Sequence, residues 1–235
     1  MRFLFFITVF QSVCCLIASG QDPDSILSTN SIQNHISVVN NPKQNTFPLI
    51  LPASCILYGV LNIERDAPGG INFHRHRQNS PKMVTGSSHF DDYLQYIPAI
   101  SVYALDALGE KPAHNFWQRT KILATGQLIA SIQVCSIKKL SHVKRPDGNG
   151  FHSFPSGHTT TAFLGADFFY SEFKHTRKWW IYSGYVAAAI VGTYRVVNNR
   201  HWASDVVAGA GFGILSNRLS GFIYRKLHKH RTNSR

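Results

Sequence analysis

Three short blocks in the second half of the chain bring together residue types that can seize a phosphate and attack its phosphorus. The first is Lys138 and, after six residues, Arg145-Pro146; the second is Pro155-Ser156-Gly157-His158. The third is Arg195, five residues, His201, three residues and Asp205. Arg offers a planar fork to two phosphate oxygens and Lys adds a point charge. Gly157 lets the backbone approach an anion where a helix start presents its free N–H groups, and Ser156 can donate one more hydrogen bond. His158 suits the protonation of a leaving oxygen. His201 and Asp205 stand four apart, so on a helix or helix entry the carboxylate can hold one imidazole nitrogen and leave the other to attack. Arg195 would neutralise the equatorial oxygens during in-line transfer.

Each block alone also has a plain structural reading. A Lys/Arg pair at a helix end is commonly a solvated C-terminus favoured by the helix dipole. Pro-Ser-Gly-His can be a Ser-capped helix with a surface histidine, and an i, i+4 His–Asp pair can be a surface contact. Their combination in this order, Lys-x6-Arg-Pro, Pro-Ser-Gly-His and Arg-x5-His-x3-Asp, resembles the type-2 phosphatidic acid phosphatase superfamily. That superfamily also contains bacterial class A acid phosphatases and vanadium haloperoxidases. The resemblance runs from Lys138 to Asp205 and implies a role for each residue. Lys138, Arg145 and Arg195 would hold phosphate oxygens with Ser156 and the amide of Gly157. His201 would be the nucleophile forming a phosphohistidine, with Asp205 orienting it. His158 would be the acid for the leaving group, then the base that activates water. One departure is Tyr194, where the family usually has Ser before the Arg.

The elements that must position these residues read as helices. Apolar stretches containing Gly and Ala, with little strand-like alternation, predict helices near 50–63, 91–109, 117–138, 157–173, 177–195 and 203–227. This is an all-α six-helix bundle over residues 46–235, in agreement with the family's fold. If helical, the seven-residue step from Lys138 to Arg145 spans two turns and turns both cations to one anion. A polar, Gly- and Pro-containing loop, Asp66 to His89, separates the first two helices. Pro48 and Pro52 interrupt segment 46–63, which is expected to pack at an interface rather than span.

Residues 1–20 read as an export signal or signal anchor: Arg2, the apolar run Phe3–Ile17, then Ala18-Ser19-Gly20. Residues 21–45 are a polar linker. Past the signal only Cys55 and Cys135 remain, either as one disulfide or as two buried thiols on separate helices. There is no metal-ligand cysteine cluster.

Of 235 residues, 44% are hydrophobic and only 15% charged, and Lys plus Arg outnumber Asp plus Glu 24 to 12. The excess of +12 suits a polyanionic or membrane-surface partner. Nucleic acid is disfavoured because no zinc spacing, basic helix or aromatic RNA-binding motif occurs. The uncharged runs Ile122–Ile137 and Trp179–Tyr194, 16 residues each, amount to about 24 Å of helix against a hydrocarbon core of about 30 Å. Asp106, Asp167 and Glu172 inside candidate spans would have to face the bundle interior. Small residues at 184, 188 and 192, and at 209 and 213, permit close helix approach. The helix ends away from the motifs carry Lys111, Arg119 and Lys121, then Lys174, Arg177 and Lys178, then Arg225, Lys226, Lys229 and Arg231. That is a positive-inside arrangement with the motif side outward.

The expectation is therefore a membrane-embedded phosphatase of the bacterial cell envelope, its active site facing the periplasm or exterior. Its substrate would be a phosphate monoester on a lipid head group. Three side-chain cations can offset the charge a divalent ion might otherwise neutralise, so no metal or cofactor is called for. The alternatives are a soluble periplasmic acid phosphatase, a vanadate-dependent haloperoxidase and a catalytically silent lipid- or anion-binding membrane protein. His142, Lys139 and Lys144 are expected to face solvent. His152 lies in the loop Asp147–Phe154 beside the site, and Trp179, Trp180 and Trp202 read as packing or interface anchors.

Overall fold

Helix α5, Gly157–Phe173, is the axis of the fold, because nearly every one of its turns buries side chains on more than one face. The computed structural model describes residues 49–63, 90–148 and 150–233. The expected export signal, the linker and the loop Asp66–His89 lie outside the described residues. In chain order the helices are α1 (Ile50–Leu61), α2 (Phe90–Leu94), α3 (Ile97–Ala107), α4 (Phe116–Ser141), α5, α6 (Ser183–Val197) and α7 (Ala203–Asn233). Short 3₁₀ turns at Lys174–Thr176 and Trp179–Tyr182 join α5 to α6. No strand occurs among the described residues. The six helices longer than α2 bear out the all-α bundle.

Helix α5 packs against α3, α4, α6 and α7, and α1 lies along α7. Glycine makes the closest of these approaches possible. A Cβ on Gly209 of α7 would lie 2.7 Å from the Ser156 carbonyl oxygen, and one on Gly213 would collide with that of Thr160. The small-residue spacing at 209 and 213 is thus the seam between α7 and α5.

Several boundaries differ from the sequence expectation. The helix expected over 91–109 is two, because Pro98 has no N–H to bond Leu94 and its ring crowds the Leu94 carbonyl. The helix expected from 177 starts at Ser183, since Arg177 takes a left-handed conformation (φ 53) and the tryptophans that follow enter a 3₁₀ turn. Helix α7 runs beyond residue 227 to Asn233. Pro52 does not interrupt α1: it sits in the first turn, where its missing N–H has no partner to lose. Cys55 and Cys135 are both free, one buried on α1 and the other exposed on α4.

Charges inside the bundle find partners. Asp167 of α5 accepts from Tyr185 at 2.7 Å, from Asn217 at 2.7 Å and from Arg218 at 3.2 Å. Glu172 accepts from the His114 amide at 3.0 Å and meets the His114 ring at 2.8 Å. Arg119, one of the cations expected at the helix ends away from the motifs, is buried and paired with Asp106. The exposed cations at that end include Lys111, Lys121, Lys174, Arg177 and Lys178.

Candidate active site

The three motif blocks meet at one end of the bundle, at the close of α4 and α6 and the start of α5 and α7. Helix α4 begins in a capping box, with Asn115 Oδ1 accepting the Gln118 N–H at 3.0 Å and Gln118 Oε1 the Asn115 N–H at 3.2 Å. It stops at Ser141 because His142 turns left-handed, with φ 45. Arg145 is therefore not helical, and the two-turn relation expected between it and Lys138 is corrected. The chain instead turns tightly after Arg145, whose N–H bonds the Gly150 carbonyl at 3.1 Å, with Gly148 and Gly150 at φ 80 and 92. Glycine reaches such angles without a Cβ clash.

The returning segment is strapped along the end of α4. Ser153 N–H bonds Val143 O at 2.9 Å, Ser141 Oγ donates to Phe154 O at 3.2 Å, and Lys138 Nζ donates to His152 O at 2.7 Å. His152 thus contributes a backbone carbonyl that holds Lys138. Below, Val143, Phe154, Trp202, Ala208 and Phe212 form a buried cluster, and Trp202 Nε1 donates to Lys144 O at 2.8 Å. Trp202 is a packing residue, as expected. Lys139, His142 and Lys144 are exposed.

Ser156 precedes α5 as its N-cap residue but makes no side-chain cap. It is fully buried, its N–H bonding the Asp205 carbonyl at 3.0 Å and its hydroxyl accepting from Thr159 at 2.9 Å. The plain reading of this block as a Ser-capped helix does not hold. Gly157 opens α5, close against Val134 of α4.

The turn from α6 to α7 returns His201 to Arg195. Both the Arg200 and His201 amides bond the Arg195 carbonyl, at 3.0 and 3.3 Å, with Asn199 left-handed at φ 55. Asp205 lies in the first turn of α7 and is fully buried. Its Oδ2 accepts the Trp202 N–H at 2.8 Å and the Ser153 hydroxyl at 2.5 Å, and faces His201 Nδ1 at 3.4 Å. The His201 contact is electrostatic: Nδ1 makes no aligned hydrogen bond there. Burial lowers the His201 pKa to about 4, with Lys138 and Arg195 pushing the same way and Asp205 opposing them. At neutral pH the imidazole is uncharged, the form in which a ring nitrogen can act as a nucleophile.

Lys138 is within electrostatic reach of Arg145, Arg195 and Asp205. The cations of blocks one and three thus share a neighbourhood with His201.

Two residues outside the motifs enter this neighbourhood. Asp91 of α2 is buried and pairs with Arg195 Nη1, while Asp92 Oδ1 lies 2.7 Å from His158 Nε2. Burial and then Arg195 lower the His158 pKa; Asp92 and Asp91 oppose that shift. Ligand-type atoms of Asp91, Asp92 and His158 lie within 4.8 Å of one another. Arg195, however, already neutralises Asp91. The consecutive Asp91-Asp92 at a helix start was the available sequence signal, but nothing local tied it to residues far along the chain.

An all-α bundle with these blocks at one end defines a class, and the chain belongs to the PAP2 superfamily, which matches residues 110–229. It is 31% identical over 192 residues to a lipid A 1-phosphatase of Porphyromonas gingivalis, covering 80% of this chain and 40% of that protein. The chain therefore spans about two fifths of the length of the curated relative it matches. Among solved structures it is similar to a transmembrane PAP2 type phosphatidylglycerolphosphate phosphatase from Bacillus subtilis. The TM-score is 0.54 at 20% identity, over 75% of this chain and 96% of that one. Aquifex aeolicus LpxE aligns with a TM-score of 0.44 at 20% identity, over 70% of this chain and 92% of that one.

Proposed function

We propose that the protein hydrolyses phosphate monoesters of lipid head groups through a phosphohistidine on His201, without a metal ion. The observation that carries this is a buried imidazole, His201, that faces Asp205 at 3.4 Å and lies within electrostatic reach of Lys138 and Arg195. Nδ1 faces the carboxylate, so Nε2 is the attacking atom. Lys138, Arg145 and Arg195 hold the phosphoryl oxygens, with the Gly157 amide and Ser156 closing the cradle. His158 donates a proton to the departing oxygen, then removes one from the water that cleaves the P–N bond. Preorganised cations acting where charge develops are worth most in such a water-poor site.

A lipid substrate is supported by the similarity to the P. gingivalis protein, a lipid A 1-phosphatase. The surface of the bundle supports a membrane setting. Helix α4 has 26 residues, about 39 Å of rise, and only 17% of its most apolar window is buried. A helix that long in the core of a soluble protein would be mostly covered. Leu128 and Ile132 of α4 and Val186 and Ile190 of α6 point outward. Phe116, Trp117 and Trp179 stand exposed at the end away from the site, beside exposed lysines, as at a membrane interface. The site then lies at the outer face of a bacterial envelope membrane, with the cationic end inward.

The test is phosphate release by the purified protein in detergent. Substrates are phosphatidate, phosphatidylglycerophosphate, lipid A carrying a 1-phosphate, and soluble p-nitrophenyl phosphate, each with and without EDTA. Turnover of a lipid ester unaffected by EDTA is the expected result. No release from any ester, or a strict divalent-ion requirement, would overturn the reading.

A further inference from the structure

We propose that Asp92 is a positioning residue for the proton-transfer chemistry of His158, forming a second Asp–His pair at the site. This rests on the phosphatase reading above. Asp92 and His158 come from elements 66 positions apart, yet Oδ1 and Nε2 meet at 2.7 Å. Both side chains are partly exposed, 44% and 26%, so the contact lies at the mouth of the site rather than in the core. Asp91, the preceding residue, reaches α6 and holds Arg195, which fixes α2 against the site and aims Asp92 at α5.

Among the described residues, Arg195 from α6 and Asp91 and Asp92 from α2 act on His158, while Lys138 of α4, Asp205 of α7 and again Arg195 act on His201. Burial and Arg195 both disfavour the imidazolium that an acid catalyst must become. A carboxylate bonded to the ring is the compensating group, since it stabilises the charged form. With Nε2–H donated to Asp92, Nδ1 carries the mobile proton. As the His201 Nε2–P bond forms and the ester P–O bond breaks, the Nδ1 proton passes to the departing oxygen. In the second half, Nδ1 takes a proton from water as the new O–P bond forms and the N–P bond breaks, which restores both imidazoles.

The test compares wild type, Asp92→Asn and Asp92→Glu by kcat/KM, which excludes the later phosphohistidine hydrolysis. One substrate is an alkyl phosphate, whose leaving oxygen needs a proton; the other is p-nitrophenyl phosphate, whose leaving group does not. Asp92→Asn should lose at least ~10-fold on the alkyl ester and under ~3-fold on the aryl ester, with partial recovery in Asp92→Glu. Its alkaline limb on the alkyl ester should move to lower pH. Equal losses on both esters, or an unmoved limb, would overturn the proposal.

NMR titration of labelled histidine, assigned through His158→Gln, gives a readout that needs no turnover. The His158 midpoint should fall in Asp92→Asn, and an unchanged midpoint refutes the pairing. A wild type inactive on both esters but with the expected NMR shift would sink the phosphatase reading and the proton-transfer role, while leaving the Asp92–His158 pairing standing.

Discussion

Asp205 caps helix α7 and backs His201 with the same oxygen: Oδ2 accepts the Trp202 amide at 2.8 Å and faces His201 Nδ1 at 3.4 Å. The oxygen that caps the helix is therefore also the one that faces the imidazole. Asp205→Asn should lower turnover strongly and also destabilise the fold by about 1–3 kcal/mol, because a buried hydrogen-bonded acceptor is replaced by a partial donor. Activity and thermal unfolding measured on the same preparation check both effects.

Removing the proposed nucleophile separates chemistry from folding. His201→Ala should reduce phosphate release by at least ~1,000-fold while circular dichroism stays helical. An acid-labile, alkali-stable phosphoryl group trapped on wild type should be missing from the variant. Normal turnover in His201→Ala would exclude His201 as the nucleophile.

The acid side of the pH profile should be unusual. With the His201 pKa held near 4 by burial, its imidazole stays neutral at pH 5, where an ordinary histidine would be largely protonated. If protonation of His201 sets the acid limb, that limb should fall well below pH 6.5.

The same depressed pKa predicts the direction of a stability change. Below about pH 6.5 the unfolded chain binds a proton that the folded chain refuses until about pH 4. The contribution of neutral His201 is present above pH 6.5 and declines as pH falls toward 4. Urea midpoints across that window should drop more steeply for wild type than for His201→Gln.

The α5–α7 seam should tolerate no added atom. Gly209→Ala places a Cβ 2.7 Å from the Ser156 carbonyl and should cost about 1–3 kcal/mol by overpacking, read as a lower melting temperature in detergent. Because Ser156 belongs to the proposed phosphate cradle, activity should fall with it.

Membrane residence has a direct assay. The protein should sediment with membranes, resist carbonate washing and come into solution with detergent. Release by buffer alone would favour a soluble bundle.

Much of the helical bundle was legible because burial on a helix writes a period into neighbouring residues, and the three motif blocks were legible because each is nearly contiguous. The misplaced boundaries mark where local rules compete. Pro98 announced a break that the long apolar run obscured, and the left-handed turn at Arg177 depends on how α5 hands the chain to α6. Arg145 comes within electrostatic reach of Lys138 through a glycine turn and not through helical phase.

By itself the sequence determined the chemical inventory of the site and the order in which helices deliver it, because residue type and spacing are local properties. Tertiary structure alone decided that Asp91 meets Arg195, that Asp92 meets His158, and that a carbonyl of the 145–154 turn holds Lys138. Those contacts join segments far apart along the chain, and only the packing of α2, α4, α5 and α6 brings their ends within hydrogen-bonding distance. The neutrality of His201 has the same origin, since its ionisation is set by what the folded chain removes from water around it.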